Sequence, residues 1–369
     1  MAGSAGMGGS YAAAGGSRAS GGVGPSGGSA ATNMQGSGSI LGAAGAGSTS
    51  TAAGTSGVGG QTWSGCPPET KTQTKAGCRD RIEEYPAGRA PSSIAVDSEG
   101  MIWFEDMEKQ QIVRVDRQGN FISAIQAETA PWPRELLRGD GDVLIWFTDS
   151  LDHGLHRFTK QQAHESVFVG EKPRGLAEGP DDDILVVDSG KSIYRVKKSF
   201  EGISVLDAAA SNSVALGADK NFWFPSHENF AIGKLTAEGN PTYYSVSNGF
   251  PDYICAGPDG ALWFTDSSEK KIGRIDTKGG RAIFGLPDAG QDAYQITAGS
   301  DSAIWFTDRR ASKIGRVVLS GGDPVFAYYP TPSPNSSPTG ITLDEDGTIW
   351  FTENRTGKIG HLYPDPTDL

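Results

Sequence analysis

"DGTIWFTENRTGKIG" occupies Asp346–Gly360, and the near copy "DGALWFTDSSEKKIG" occupies Asp259–Gly273. Aligned on the aromatic pair, the phrase returns as "MIWFED" at Trp103, "LIWFTD" at Trp146, "NFWFPS" at Trp223, "AIWFTD" at Trp305 and "TIWFTE" at Trp350. A seventh, degenerate copy, "DILVVD", is read with Val186 in the Trp position. A period near 40 residues built of short alternating strands is the signature of a β-propeller with four strands per blade.

Each unit has one grammar. It opens on Pro and an apolar alternation ("PSSIAV", "PDYICA", "PTGITL"), followed by an Asp/Gly turn ("DSEG", "GPDG", "DEDG"). Such turns supply the positive φ of a tight hairpin. The aromatic strand comes next, then a polar loop and a "KIGRI"-type strand, then a second Gly turn and a fourth strand such as "TYYSV". The alternation throughout has the period of strands, not of helices. The last unit stops after three strands at "KIGHLYP", whereas "RIEEYPAG", Arg81–Gly88, looks like a fourth strand without its unit. The N-terminal strand is therefore expected to complete the last blade and remove a free edge. The fold class is all-β, a seven-bladed propeller of about 41 residues per blade over residues 81–369.

Residues 1–62 are almost all Gly, Ala, Ser and Thr. Such a segment buries too little apolar area to offset its ordering entropy, so it is expected to be a disordered linker or stalk. Residues 63–80 form a short connector with Cys66 and Cys78 in "SGCPPETKTQTKAGC". A disulfide closing that loop would contribute on the order of 3 kcal/mol and imply an oxidising compartment. A metal site is the other reading, with no second Cys/His pair nearby to support it. Cys255 lies in a strand pattern and reads as a small buried hydrophobe.

The net charge is −12, with no basic stripe to displace counterions, which argues against a nucleic-acid partner. No apolar run approaches the roughly 18 residues a membrane span needs. Met1 is not followed by a positive and then an apolar stretch, so no signal peptide is read. A Gly/Ser-rich stalk before a compact domain suits a secreted or surface-tethered, extracytoplasmic protein. A monomer is expected.

An acid closes the aromatic strand six times: Asp106, Asp149, Asp188, Asp266, Asp308 and Glu353. Catalysis needs one or two special residues rather than one per blade, so these acids read as acceptors for the amides of the following loop. Glu353 is the only Glu among them.

Repeats of the form P-x-x-I…DG-x-(I/L)-WFT(E/D)…KIGRI resemble the virginiamycin B lyase (streptogramin lyase) family, over about Arg81 to Pro364. The resemblance implies a seven-bladed propeller and a carbon–oxygen lyase that opens type B streptogramins by Mg²⁺-assisted elimination. The family site lies in the last two blades. It uses a His opening the sixth blade, an E-P-H-G-I segment opening the seventh and a Glu after the last aromatic pair. Here the sixth blade opens "DAYQI", placing Tyr294 at the first His. The seventh opens "SPTGI", placing Ser337 at the metal-linked Glu and Thr339 at the catalytic His. Glu353 is the candidate for the last acid, in a different register. Neither Ser nor Thr is a base near neutral pH without an activating partner. The lyase machinery is therefore expected to be absent, with Mg²⁺ implied only if a divergent lyase works through Glu353, Tyr294 and Thr339.

In a propeller the start of the inner strand and the end of the second strand meet at one face. The residues two before the inner-strand apolar residue then ring the mouth: Ser92, Arg134, Arg174, Asn212, Asp252, Tyr294 and Thr339. Adjoining loops add His227, Glu228, Arg309, Arg310 and Arg355, with Tyr253 beside Asp252 and Trp132 beside Arg134. Arg134 and Arg174 on neighbouring blades offer planar forks for a carboxylate or phosphate. Tyr253 and Tyr294 could stack on a ring. The expected role is binding of a small molecule or glycan at this mouth. A divergent lyase and a protein-interaction platform on the outer blade faces are the alternatives. A metal-dependent hydrolase would need more acids than Asp252, with His227 and Glu228 as its nearest cluster.

Overall fold

In five of the aromatic strands the Trp and the Asp of the turn before it recur together because they are bonded to each other. In the computed structural model the indole Nε1 donates to Asp97 from Trp103 (2.7 Å), to Asp219 from Trp223 (3.0 Å), to Asp259 from Trp263 (3.2 Å), to Asp301 from Trp305 (3.1 Å) and to Asp344 from Trp350 (3.3 Å). The basic residue of the next strand reaches the same Asp: Arg114 to Asp97, Lys234 to Asp219, Arg274 to Asp259 and Arg316 to Asp301. In the last repeat His361 takes that position and stacks on Trp350 with ring centroids 3.9 Å apart. Arg117 of the first blade supplies the missing cation to Asp344 at 2.8 Å. Five repeats thus pin their own turns, the last with a cation from its neighbour, whereas the Trp146 indole has no such partner and blade 3 has Leu185 in the Trp position.

The structure describes residues 61–62, 81–126, 133–246, 249–287 and 292–364. These residues are strands and turns, arranged as seven antiparallel sheets around a central channel. From the inner strand outward, blade 1 is Pro91–Val96, Ile102–Asp106, Gln111–Val115 and Phe121–Gln126. Blade 2 begins with Pro133–Arg138 and Val143–Asp149, and blade 3 with Pro173–Glu178 and Asp183–Asp188. The inner and second strands are Ala215–Leu216 and Phe222–Ser226 in blade 4, and Ile254–Ala256 and Leu262–Asp266 in blade 5. In blade 6 they are Ala293–Ala298 and Ile304–Asp308. Blade 7 is Pro338–Leu343, Ile349–Glu353 and Lys358–Tyr363, completed by the N-terminal strand Arg81–Pro86. The ring therefore closes as the sequence implies.

Gln61–Thr62, at the end of the segment expected to be a linker, pairs outside Arg81–Pro86 as a fifth strand. Cys66, Cys78 and Trp132 lie outside the described residues. One register differs from expectation. Ala177 pairs with Leu185 as Ala95 pairs with Trp103, so Leu185 fills the Trp position and Val186 the Phe position. The closing acid already marks this register, because Asp188 follows Leu185 by three residues as Asp149 follows Trp146; in a strand a one-residue error exchanges the two faces.

The core lies between blades. Trp103, Trp146, Trp223, Trp305 and Trp350 are fully buried, and Trp350 packs with Phe104 and Ile94 of the next blade. At 150–250 Å² per aromatic side chain and about 25 cal/mol/Å², each such Trp contributes on the order of 4–6 kcal/mol of gross burial. The Gly of "KIG" exists for the Phe beside it. A Cβ on Gly273 would stand 2.0 Å from the Phe264 ring.

Candidate functional site at the propeller mouth

In blade 1 Pro91 pairs with Asp106, and in blade 2 Pro133 pairs with Asp149, so inner-strand starts and second-strand ends do share one face. The acids at that level cap loops. Asp149 accepts the Leu151 amide at 2.8 Å, Asp188 the Lys172 amide at 2.8 Å, and Asp308 the Ala311 amide at 3.1 Å. Glu353 occupies the same register, opposite Pro338, and accepts the Thr356 hydroxyl at 2.7 Å. Its extra methylene brings it against Glu84. Burial and that neighbouring carboxylate raise its pKa to about 8.

One residue before the acid, a Thr in four of the seven blades joins its blade to the next. Thr148 donates to the carbonyl of Arg174 (2.6 Å), Thr265 to that of Tyr294 (2.7 Å), Thr307 to that of Thr339 (2.9 Å), and Thr352 to that of Ser92. Every acceptor is a rim residue of the following blade. At these four junctions the rim backbone is held by the repeat itself, whatever the rim side chains are.

Those side chains divide into two sides. Across blades 5 and 6, the polar groups are mutually satisfied. Tyr253 and Tyr294 meet hydroxyl to hydroxyl at 3.1 Å, with ring centroids 4.8 Å apart. Arg309 lies over the Tyr294 ring at 3.7 Å and pairs with Asp292 at 2.9 Å. Asp252 takes the Ser267 hydroxyl and stands 3.6 Å from His227. That carboxylate raises the His227 pKa, and burial is outweighed at Asp252 by the hydrogen bonds from His227 and Ser267, which pull its pKa down. Arg310 and Arg355 face a second hollow, of about 390 Å³, between blades 6 and 7, with Ser337. Thr339 donates to the Pro91 carbonyl at 3.3 Å and meets Thr352 at 2.9 Å. Tyr294 and Thr339 thus engage different partners, and of the Glu353 carboxyl oxygens Oε2 takes Thr356 while Oε1 is buried without a hydrogen bond. No hydrogen bond joins them among the described residues.

Across blades 2 and 3 the arrangement is unlike this. Arg134 and Arg174 line a hollow of about 380 Å³ with Ser150, Leu151, Glu171 and Lys172. Arg134 Nε donates to the Ser150 hydroxyl at 2.8 Å. Burial and then the Arg174 charge depress the Arg134 pKa. Asn212 follows at the next rim position, half-buried.

Below the rim is a ring not anticipated from sequence. Glu135 accepts Gln295 Nε2 at 2.8 Å, a bond that spans the channel from blade 2 to blade 6. Gln295 Oε1 in turn accepts the Ile341 amide at 3.0 Å. Burial and the nearby Glu105 push the Glu135 pKa well above the usual carboxylate range. Beneath this bond the channel is a cavity of about 340 Å³ that Tyr253, Cys255 and Thr297 also line. Cys255 is half-buried and unpaired there, rather than fully buried as its strand pattern suggests. Glu105 itself is completely buried, and its Oε1 has no partner. Burial raises its pKa to about 7. The sequence signal for Glu105 was present: "WFED" is the one copy with an ionisable residue in the Thr position. No group of three or more His, Cys, Asp and Glu able to hold a metal ion occurs among the described residues. No helix there is long and apolar enough to cross a membrane.

The virginiamycin B lyase family model matches residues 196–367. Selenomethionine-substituted virginiamycin B lyase from Staphylococcus aureus superimposes with a TM-score of 0.71 and 27% identity, covering 78% of this chain and 100% of that one. A catalytically inactive variant of the same enzyme with quinupristin gives 0.70 and 28%, covering 78% and 100%. The extracellular domain of a hybrid two-component system from B. thetaiotaomicron gives 0.61 and 15%, covering 76% of this chain and 41% of that one, a likeness of fold alone. No curated protein matches. The chain is a virginiamycin B lyase-like seven-bladed propeller.

Proposed function

We infer that this virginiamycin B lyase-like propeller binds a small anionic molecule at its mouth, between blades 2 and 3, and does not open streptogramin rings. One observation carries the reading. Two guanidinium groups on adjacent blades share one half-buried hollow, where burial and the Arg174 charge hold the Arg134 pKa below its usual value. An anion between them offsets that repulsion and accepts two planar forks. The positions matching the family's His and Glu support the same conclusion, since Thr339 is committed to backbone and Tyr294 to Tyr253 and Arg309. The Gly/Ser-rich N-terminal segment suits a protein that works outside the cytoplasm, sampling small solutes or the anionic groups of glycans.

The test is a thermal-shift and calorimetric titration with sulfate at low ionic strength, using the wild type and the Arg134→Ala/Arg174→Ala double variant. A saturable rise in Tm for the wild type that disappears in the variant is expected. An equal rise in both removes the anion site. Mg²⁺-dependent opening of a type B streptogramin by the wild type would replace this reading with the lyase.

A further inference from the structure

Glu105 stands where four other blades place a Thr that donates to the next blade's rim carbonyl. The pairing register is the same: Glu105 lies opposite Ile112 as Thr265 lies opposite Ile272 and Thr307 opposite Ile314. By that repeat, the carbonyl facing position 105 is that of Arg134. Val187 and Pro225 leave the equivalent slot without a donor. An ionised carboxylate is worse than either, because it sets lone pairs against a carbonyl and has only acceptors to offer. A protonated carboxyl is a donor and fills the slot as Thr does. The Oε1 atom without a partner is the atom such a proton would occupy.

The charged and polar surroundings favour neither form outright. Ser92 and Ser93 on the same blade donate toward the carboxyl, Arg134 attracts it, and Glu135 and Asp149 on blade 2 repel it. Complete burial opposes ionisation. The balance leaves the group titrating near neutrality.

We propose that Glu105 is a proton-dependent positioning residue for the Arg134–Arg174 hollow, so that this site takes up its anion together with a proton. Protonated, Glu105 bonds the Arg134 backbone and no longer competes with the ligand by charge for the guanidinium. Ionised, it is a built-in competitor for Arg134. This rests on the anion-site reading above, and it adds the condition under which that site is open. The favoured ligand class is a small oxyanion at neutral to mildly acidic pH.

Sulfate is the probe, because it does not itself titrate over the range used. Wild-type affinity is expected to be about tenfold weaker at pH 8 than at pH 6, since the competent fraction falls to roughly a tenth. Glu105→Thr, which installs the repeat's own residue, is expected to bind equally at both. A wild-type affinity that is flat with pH, or a Glu105→Thr variant that keeps the wild-type dependence, overturns the proposal. Should sulfate bind neither protein at pH 6, the anion reading fails, and a second readout still decides the donor role. A group protonated in the fold and ionised when unfolded loses its stabilising effect as pH rises. The Tm of Glu105→Thr relative to wild type must then increase between about pH 4.5 and pH 7. A constant difference overturns it.

Discussion

At the scale of single residues, the hydroxyl of the repeat is as informative as its indole. Thr265 is fully buried, donates to the Tyr294 carbonyl and accepts the Tyr253 amide at 3.3 Å. Thr265→Val keeps the shape and leaves both groups unpaired. It is expected to lower stability by about 1–3 kcal/mol, the cost of orphaned buried polar groups. The check is the urea midpoint at unchanged slope, and a loss within about 0.5 kcal/mol, an ordinary surface effect, would make the staple dispensable. The same scale shows where the sequence stops being readable. That "WFED" breaks the pattern is visible in the string. That the broken position is completely buried and feels the charge of Arg134 is not, because that residue belongs to another blade.

At the scale of strands, the "KIG" glycine and the "WFT" phenylalanine form one packing unit. The Phe264 ring occupies the volume a side chain at 273 would need. Gly273→Ala is expected to cost about 1–3 kcal/mol by overpacking, measured as a lowered Tm. An unchanged Tm would mean that the ring moves aside freely. Blades 1 and 2 show what the alternative requires, since they carry Val113 and His156 at this position. In blade 2 the His156 ring lies parallel on Phe147, with centroids 4.6 Å apart, and is held by Asp152 and His164. Strand identity and register were legible because alternation and turn chemistry are local. The misread Val186 is corrected by the strand's own closing acid: Asp188 stands three residues after Leu185, as Asp149 does after Trp146, and the hydrogen-bond ladder agrees.

At the scale of the whole molecule, closure is carried by chemistry peculiar to the last blade. Glu84 of the N-terminal strand accepts Lys358 at 2.5 Å and the Ser333 amide at 2.7 Å, with Glu353 against it. Because the Glu353 pKa is raised in the fold, the folded state holds a proton that the unfolded chain releases. Its stabilising effect is full below about pH 4.5 and is lost as pH rises to about 8. Glu353→Gln is expected to remove that part of the pH dependence, worth on the order of a few kcal/mol, as read from denaturation midpoints across the range. An unaltered slope would assign it to other groups. His361, neutral because burial lowers its pKa to about 4, acts in the opposite sense. Its contribution is lost as pH falls from about 6.5 to about 4, so the two oppose each other between about pH 4.5 and 6.5 and the Glu353 effect stands alone above that range.

The sequence by itself determined the blade number, the strand order within a blade, the closing strand and which residues ring the mouth. All of these follow from a period of about 40 and an alternation of two, and both are properties of neighbours along the chain. Only the tertiary structure decided which rim residues are available. Arg309 and Tyr294 are engaged with each other, and Gln295 reaches across the channel to Glu135. These are contacts between residues brought together by ring closure, and whether a charge is paired, shared or left facing a hollow depends on a partner that no local pattern specifies.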